Sequence, residues 1–384
     1  MNDVGIGIIG LGNMGSYYAD VLVGNKLEHA RLTAVCDSAP ARLDRWREHA
    51  ATFENPDQFF QTGKFDAVII ATPHYAHTTL GIQALNAGFH VLVDKPVSVH
   101  KADVLKLLSA HANKKQIFAA MFNQRTDPYF LKIKEMIDHG SLGKIRRVTW
   151  IITNWFRSET YYASSDWRAT WRGEGGGVLL NQCPHQLDML CWLLGLPSRV
   201  NADCRLGKYH DIEVEDEVTA RLEYDNGSSG VFITSTGEAP GTNRLEIAGD
   251  NGKLVYEQDC ITFIRNLVPM NEFSRTTPEL FATPPSQIET FSGWSHGDQH
   301  LGVMRNFIAA IRDGVPLIAP AQEGLASVEL ANAMLMSALE KRTVEIPIDG
   351  DHYAGLLTNL IAQSKMDIKN QASGTPSDLS GSFR

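Results

Sequence analysis

An apolar run of strand length, Val4–Ile9, leads directly into Gly10-Leu11-Gly12-Asn13-Met14-Gly15, and a helical pattern follows over Asn13–Val23. A G-x-G-x-x-G triplet alone is weak, because glycines are common in turns. Set between a strand and a helix, it constrains the fold strongly. Gly10 permits the tight turn, Gly12 lets a pyrophosphate approach the backbone, and Gly15 lets the helix pack close to the strand. The helix start at Asn13 and Met14 offers free N–H groups and partial positive charge to a phosphate. A second strand, Leu32–Cys36, ends at Asp37. A carboxylate there can bind both ribose hydroxyls of NAD and repels a 2′-phosphate. Ser38 and Arg42 could accommodate such a phosphate, so the sequence leans to NAD and leaves NADP open.

The same alternation continues with strands at Ala67–Ala71, Phe89–Val93 and Ile117–Ala120 and helices at Thr78–Ala87 and Lys101–Ala112. These strands are apolar on both faces, as buried parallel strands are. The reading is an α/β Rossmann domain over residues 1–122. Ligands bind at the carboxyl edge of such sheets. Three segments fall there: Thr72-Pro73, Asp94-Lys95-Pro96 and Asn123-Gln124-Arg125. His74 and His77 begin a helix beside the first of them, near the cofactor.

After Gly140 the texture changes. Ile145–Thr153, Glu217–Tyr224, Gly230–Ser235, Arg244–Gly249 and Lys253–Glu257 read as strands. Asp225-Asn226-Gly227 and Asp250-Asn251-Gly252 are hairpin signals, so the sheet is antiparallel. Helices are expected at Pro184–Leu194, Leu301–Ile311 and Glu323–Glu340, with a long loop from the 260s to Ser295. This is an α+β domain with a large, mostly antiparallel open sheet, over residues 123–349. The late helices are free to pack back on the first domain. Residues 350–384 read as a partly loose C-terminal extension, loosest after Gln371. A length of 384 residues suits two domains. An open sheet face needs cover, which points to a homodimer or homotetramer.

Composition narrows the partners. The net charge of −9 and the lack of a basic run argue against nucleic acid. Five cysteines, irregularly spaced and without a CxxC, fit a reducing compartment. No run approaches the ~20 apolar residues of a membrane span, and the start lacks the charged n-region of a signal peptide. The expectation is a cytoplasmic protein.

Two further segments carry chemistry. Lys95 stands just past a parallel strand. His185 opens a helix after Gly175-Gly176-Gly177, within Val178-Leu179-Leu180-Asn181-Gln182-Cys183-Pro184-His185. Cys183 reads as a packing thiol. Trp155, Arg157, Trp167 and Arg168 precede the glycine run. Aromatic faces and guanidinium forks suit a sugar or cyclitol ring, although core packing explains the aromatics equally well. Asn123 and Arg125 join them as substrate candidates at the ligand edge. His296 and His300, four apart, have no third ligand at metal spacing, so no metal is expected. His300 is read as a substrate hydrogen-bonding group.

The glycine fingerprint, the Ala71–His77 segment, Asp94-Lys95-Pro96 and the Gly175–Asp188 segment together resemble the glucose–fructose oxidoreductase / inositol dehydrogenase / rhizopine-catabolism family. Phe307–Gly314 and Pro316-Leu317 match its C-terminal helix pattern, so the resemblance covers roughly residues 4 to 347. It implies that Lys95 polarises a hydroxyl oxygen and that His185 exchanges its proton while hydride moves to or from nicotinamide. The implied activity is that of a NAD-dependent sugar or inositol dehydrogenase. Two alternatives stand beside it: glycoside cleavage through transient ring oxidation with retained NAD, and a non-catalytic NAD sensor. The sequence departs from the family in two places. Asp94 stands where Glu is common. Asn181 stands where an Asp often precedes the histidine by four, and an amide cannot take a proton at neutral pH.

Overall fold

The computed structural model describes residues 3–165 and 167–364. Six parallel strands form the first sheet: β1 (Val4–Ile9), β2 (Ala30–Cys36), β3 (Ala51–Phe53), β4 (Ala67–Ile70), β5 (His90–Val93) and β6 (Phe118–Ala120). Their order is β3-β2-β1-β4-β5-β6, so the direction of winding reverses between β1 and β4. That reversal opens a crevice beyond the strand ends. Every residue of β1 and β4 is buried, as their unbroken apolar runs require. Gly10 takes φ +90°, and a Cβ on Gly15 would lie 1.7 Å from the Gly10 carbonyl oxygen. No other residue type fits that turn.

Nine strands form the second sheet. They are β7 (Ile145–Ile152), β8 (Arg199–Leu206), β9 (Glu215–Glu223), β10 (Ser229–Ser235), β11 (Asn243–Gly249), β12 (Gly252–Glu257), β13 (Cys260–Asn266), β14 (Ser286–Ser292) and β15 (Val344–Glu345). Their order is β14-β13-β12-β11-β7-β10-β9-β8-β15, and only β7 and β10 pair in parallel. Burial alternates residue by residue along β7, β10, β11 and β12. One face therefore meets the core, where Trp150, Phe232, Leu245 and Leu254 pack with Leu187 and Leu190 of the Pro184–Leu194 helix. The other face stays open. Across it run Thr219–Ile233–Ile151–Arg244 and Arg221–Val231–Thr149–Glu246, in register.

The Gln299–Asp313 helix leaves this domain and joins the first. Its Val303, Met304, Phe307 and Ile308 pack with Ile6, Ile8, Tyr18 and Leu22.

The structure corrects one reading of the second domain. The expected loop from the 260s to Ser295 contains β13, a short helix at Met270–Thr276 and β14. Thr and Ser there decorate edge strands, where β-branched threonine is at home. The first part of the C-terminal extension is helical, over Gly350–Gln363. Asp349 caps that helix, and Tyr353 and Leu357 are buried in the second core. The tail after Gln371 lies outside the described residues.

Candidate active site

The site lies beyond the carboxyl ends of β1, β2, β4 and β5. Asp37, at the end of β2, accepts hydrogen bonds from the backbone N–H groups of Leu11 (2.7 Å) and Ala39 (2.9 Å) and a longer one from Arg42 (3.4 Å). Its carboxylate is thus fastened to the glycine turn. Ser38 and Arg42 are exposed at its side, Asn13 is exposed at the helix start, and Met14 is half-buried. A Cβ on Gly12 would meet nothing within 4 Å, which leaves open space over the turn. A tight turn, an open glycine, a helix N-terminus and an acidic residue are what a dinucleotide requires, and these residues fit it.

Thr72 and Pro73 follow β4. His77 ties them to the next loop: its Nδ1 lies 2.7 Å from the Pro96 carbonyl oxygen and its Nε2 2.8 Å from that of Thr72. Two carbonyl acceptors favour a doubly protonated ring, whereas burial lowers its pKa. A neutral ring would leave a lone pair facing one of these carbonyls, so the paired acceptors oppose the effect of burial.

Lys95 follows β5. Asp94 beside it is buried and accepts from Tyr18 Oη (3.2 Å) and the Lys95 backbone N–H (2.8 Å). Lys95 Nζ donates to the Asn181 backbone oxygen at 2.8 Å. This contact spans the two domains. Burial, more than anything else, lowers the Lys95 pKa, and the Arg168 and Arg157 cations push the same way.

Segment 174–185 arrives from the second domain. Gly175 takes φ +76°, and a Cβ there would lie 2.1 Å from Val99 Cγ1, so glycine allows the close approach to the first domain. His185 sits in the first turn of the Pro184–Leu194 helix. Its Nδ1 is buried without a protein partner. Burial, then the nearby Lys95 and His300, drive its pKa well below 6.5. His185 is therefore a neutral imidazole beside an ammonium.

Asn181 points elsewhere. Its Nδ2 donates to Glu174, and its Oδ1 accepts from Tyr161 Oη at 3.5 Å. Glu174 also accepts from the Ala169 N–H at 2.8 Å. Its carboxyl is buried, and that burial raises its pKa to about 7. Sequence reading missed Glu174. A lone acid beside a glycine run carries no spacing signal.

The substrate candidates divide. Arg157, Arg168 and Trp167 gather with Tyr161: the Arg157 guanidinium lies 5.1 Å and that of Arg168 4.5 Å from the Tyr161 ring centre, and Arg168 also lies 4.7 Å over Trp167. Trp155 is buried beneath Arg157. His300 is buried beside Tyr17 and Tyr18, and burial lowers its pKa to about 4. Asn123 is buried and donates to Gln299 (2.7 Å). Arg125 departs from expectation. It is 2% exposed, holds Asp188 through two bonds of 2.8 and 2.6 Å, and also pairs with Glu323. Its guanidinium fastens the His185 helix to the segment after β6 and is not presented to a ligand. His296 is exposed and pairs with Asp127 (2.8 Å) and Asp259 (3.3 Å). Among the described residues, no group of three His, Cys, Asp or Glu could hold a metal ion.

Residues 4–122 match an oxidoreductase family with an NAD-binding Rossmann fold, and residues 130–255 match the GFO/IDH/MocA C-terminal domain. Over 352 residues the chain is 26% identical to inositol 2-dehydrogenase of Rhizobium meliloti, covering 89% of this chain and 99% of that one. It is 25% identical over 354 residues to myo-inositol 2-dehydrogenase of Thermotoga maritima, covering 89% and 98%. The structure of the WlbA dehydrogenase from Bordetella pertussis, in complex with NADH and UDP-GlcNAcA, shares the fold. Its TM-score is 0.76 at 24% identity, covering 91% of this chain and all of that one.

Proposed function

Because the chain belongs to the GFO/IDH/MocA oxidoreductase family, with its NAD-binding Rossmann fold, we propose that it moves a hydride between NAD and a hydroxyl carbon of a sugar or cyclitol. The observation that carries this reading is the meeting, at the ligand edge of the first sheet, of Lys95, whose Nζ is held at 2.8 Å by the Asn181 backbone oxygen, with the buried His185 of the Pro184–Leu194 helix, which burial and the nearby Lys95 keep neutral. Relatives that act on inositol support the cyclitol side. They are named as dehydrogenases, which weighs against the glycoside-cleaving and sensing alternatives.

Gly10, Gly12, Asn13 and Met14 would hold the pyrophosphate, Asp37 the ribose with Ser38 and Arg42 at its rim, and Thr72, Pro73, His77 and Lys95 the nicotinamide end. When bound, the nicotinamide takes or gives the hydride. The protein handles the proton. His185, held neutral by burial, accepts it from the hydroxyl, and Lys95 donates a hydrogen bond to the oxygen as negative charge develops there. Asn181 places Lys95 through its backbone oxygen.

Purified protein with NAD and a panel of sugars and cyclitols should generate reduced nicotinamide absorbance. His185→Ala should lower kcat at least about 100-fold while leaving NAD affinity within a factor of about two. Undiminished turnover in that variant would remove His185 from the chemistry. We also take the open face of the second sheet as the surface of a homodimer or homotetramer, and the cytoplasm as its compartment. All five cysteines are free, and no described helix is long and apolar enough to cross a membrane.

A further inference from the structure

Arg157 and Arg168 differ from Arg125 and from Arg147 of β7. Arg125 and Arg147 are held in tight ion pairs with Asp188, Glu323 and Glu246. Arg157 has no acidic partner among the described residues, and Arg168 reaches Glu174 only at 3.9 Å. Both guanidinium groups lie against Tyr161. Tyr161 Oη accepts from Arg168 (2.7 Å) and reaches Asn181, whose backbone oxygen holds Lys95 Nζ at 2.8 Å. The two arginines are therefore linked to the Lys95 ammonium through Tyr161 and Asn181, and their charges are felt there. The Nε atoms of Arg157 and Arg168 and Nε1 of Trp155 are buried without an acceptor among the described residues. The cluster thus holds three such unsatisfied buried donors.

The charge balance points the same way. Lys95, Arg157 and Arg168 are cations. Among the described residues the buried Glu174 and Glu215 lie near them, and Asp94 beside Lys95 is engaged by Tyr18 Oη and its own neighbour's N–H. His74, His185 and His300 are all pushed toward neutrality by burial. A neutral polyol could accept from these donors but would leave Arg157 without an anionic partner. A carboxylate does both, and its two oxygens match a guanidinium fork.

We infer that the sugar or cyclitol bound here carries an anionic group, as a sugar acid does, and that Arg157 and Arg168 receive that group beside Lys95 and His185. This inference rests on the hydroxyl-oxidation reading above.

The experiment pairs charged rings with neutral ones: D-glucuronate and D-galacturonate, with glucose 6-phosphate as the phosphate arm, against D-glucose, D-galactose and myo-inositol. The first readout is kcat/KM for NAD reduction. The second is calorimetric binding of each compound to the protein–NADH complex, which needs no turnover. The expected result is a preference of about tenfold or more for the charged rings, shrinking as salt rises. Arg157→Gln and Arg168→Gln should each erode that preference and together abolish it, while Arg157→Lys restores part of it. Melting temperature and NADH titration report whether each variant folds, and the salt dependence of the unaltered protein decides the matter if the double variant does not. A phosphate preferred over a carboxylate supports the inference and identifies the anion. Equal or better use of neutral rings in both readouts, or a preference untouched by the Gln variants, overturns it. Arginine-dependent binding of the acids without NAD reduction by any compound would instead overturn the dehydrogenase reading and leave the anion site standing.

Discussion

A base that must take a hydroxyl proton at neutral pH has to be unprotonated before the substrate arrives. His185 reaches that state by burial and by two cationic or potentially cationic neighbours, with no carboxylate to hold its proton on. The same burial acts in the opposite sense on Glu174, lifting its carboxyl from the ordinary 4.5 to about 7. Because the folded carboxyl binds its proton more tightly than the unfolded one, stability falls as pH rises from about 4.5 to about 7. Glu174→Gln should flatten that slope in urea midpoints. It should also remove an inflection near pH 7 from the kcat/KM profile, since the charge beside Asn181 no longer changes. An inflection that persists in the variant would assign it to another group. Lys95 and His185 were legible in the sequence because motif order places them at a strand end and a helix start. Glu174 was not, and the true partner of Arg125 was not, because Asp188 lies 63 residues away and only folding brings it near.

The Pro184–Leu194 helix positions His185, and the Arg125–Asp188 pair holds that helix against the segment that follows β6. Breaking a buried pair leaves a charge without compensation, at a cost of about 3–5 kcal/mol. Arg125→Met should therefore lower the urea midpoint sharply, and Arg125→Met with Asp188→Leu should recover much of the loss. A single variant costing under about 1 kcal/mol would show that the pair is dispensable. At this scale the sequence spoke unevenly. β1, β4 and β5 are legible because both faces are apolar, and β9–β12 because alternation is bounded by Asp-Asn-Gly turns. β8, β13 and β14 are not, because strands near the sheet edges tolerate polar residues on both sides.

For the whole molecule, the uncovered face of the nine-stranded sheet is the surface proposed above for self-association. Ile151, Val231 and Ile233 form a half-buried apolar strip flanked by Arg221, Arg244 and Glu246. Ile233→Asp should dissociate the oligomer in sedimentation velocity without lowering NADH affinity; a monomeric unaltered protein would sink the proposal. The Gln299–Asp313 helix has a different consequence. Its Phe307 and Val303 complete the core around Ile6 and Leu22, yet they leave the ribosome about 180 residues after β6. At ~5–20 residues per second, the nascent first domain waits roughly 10–40 s with that apolar flank bare. A chain halted at residue 122 should therefore precipitate or recruit chaperones, and supplying the missing helix as a peptide should rescue its solubility.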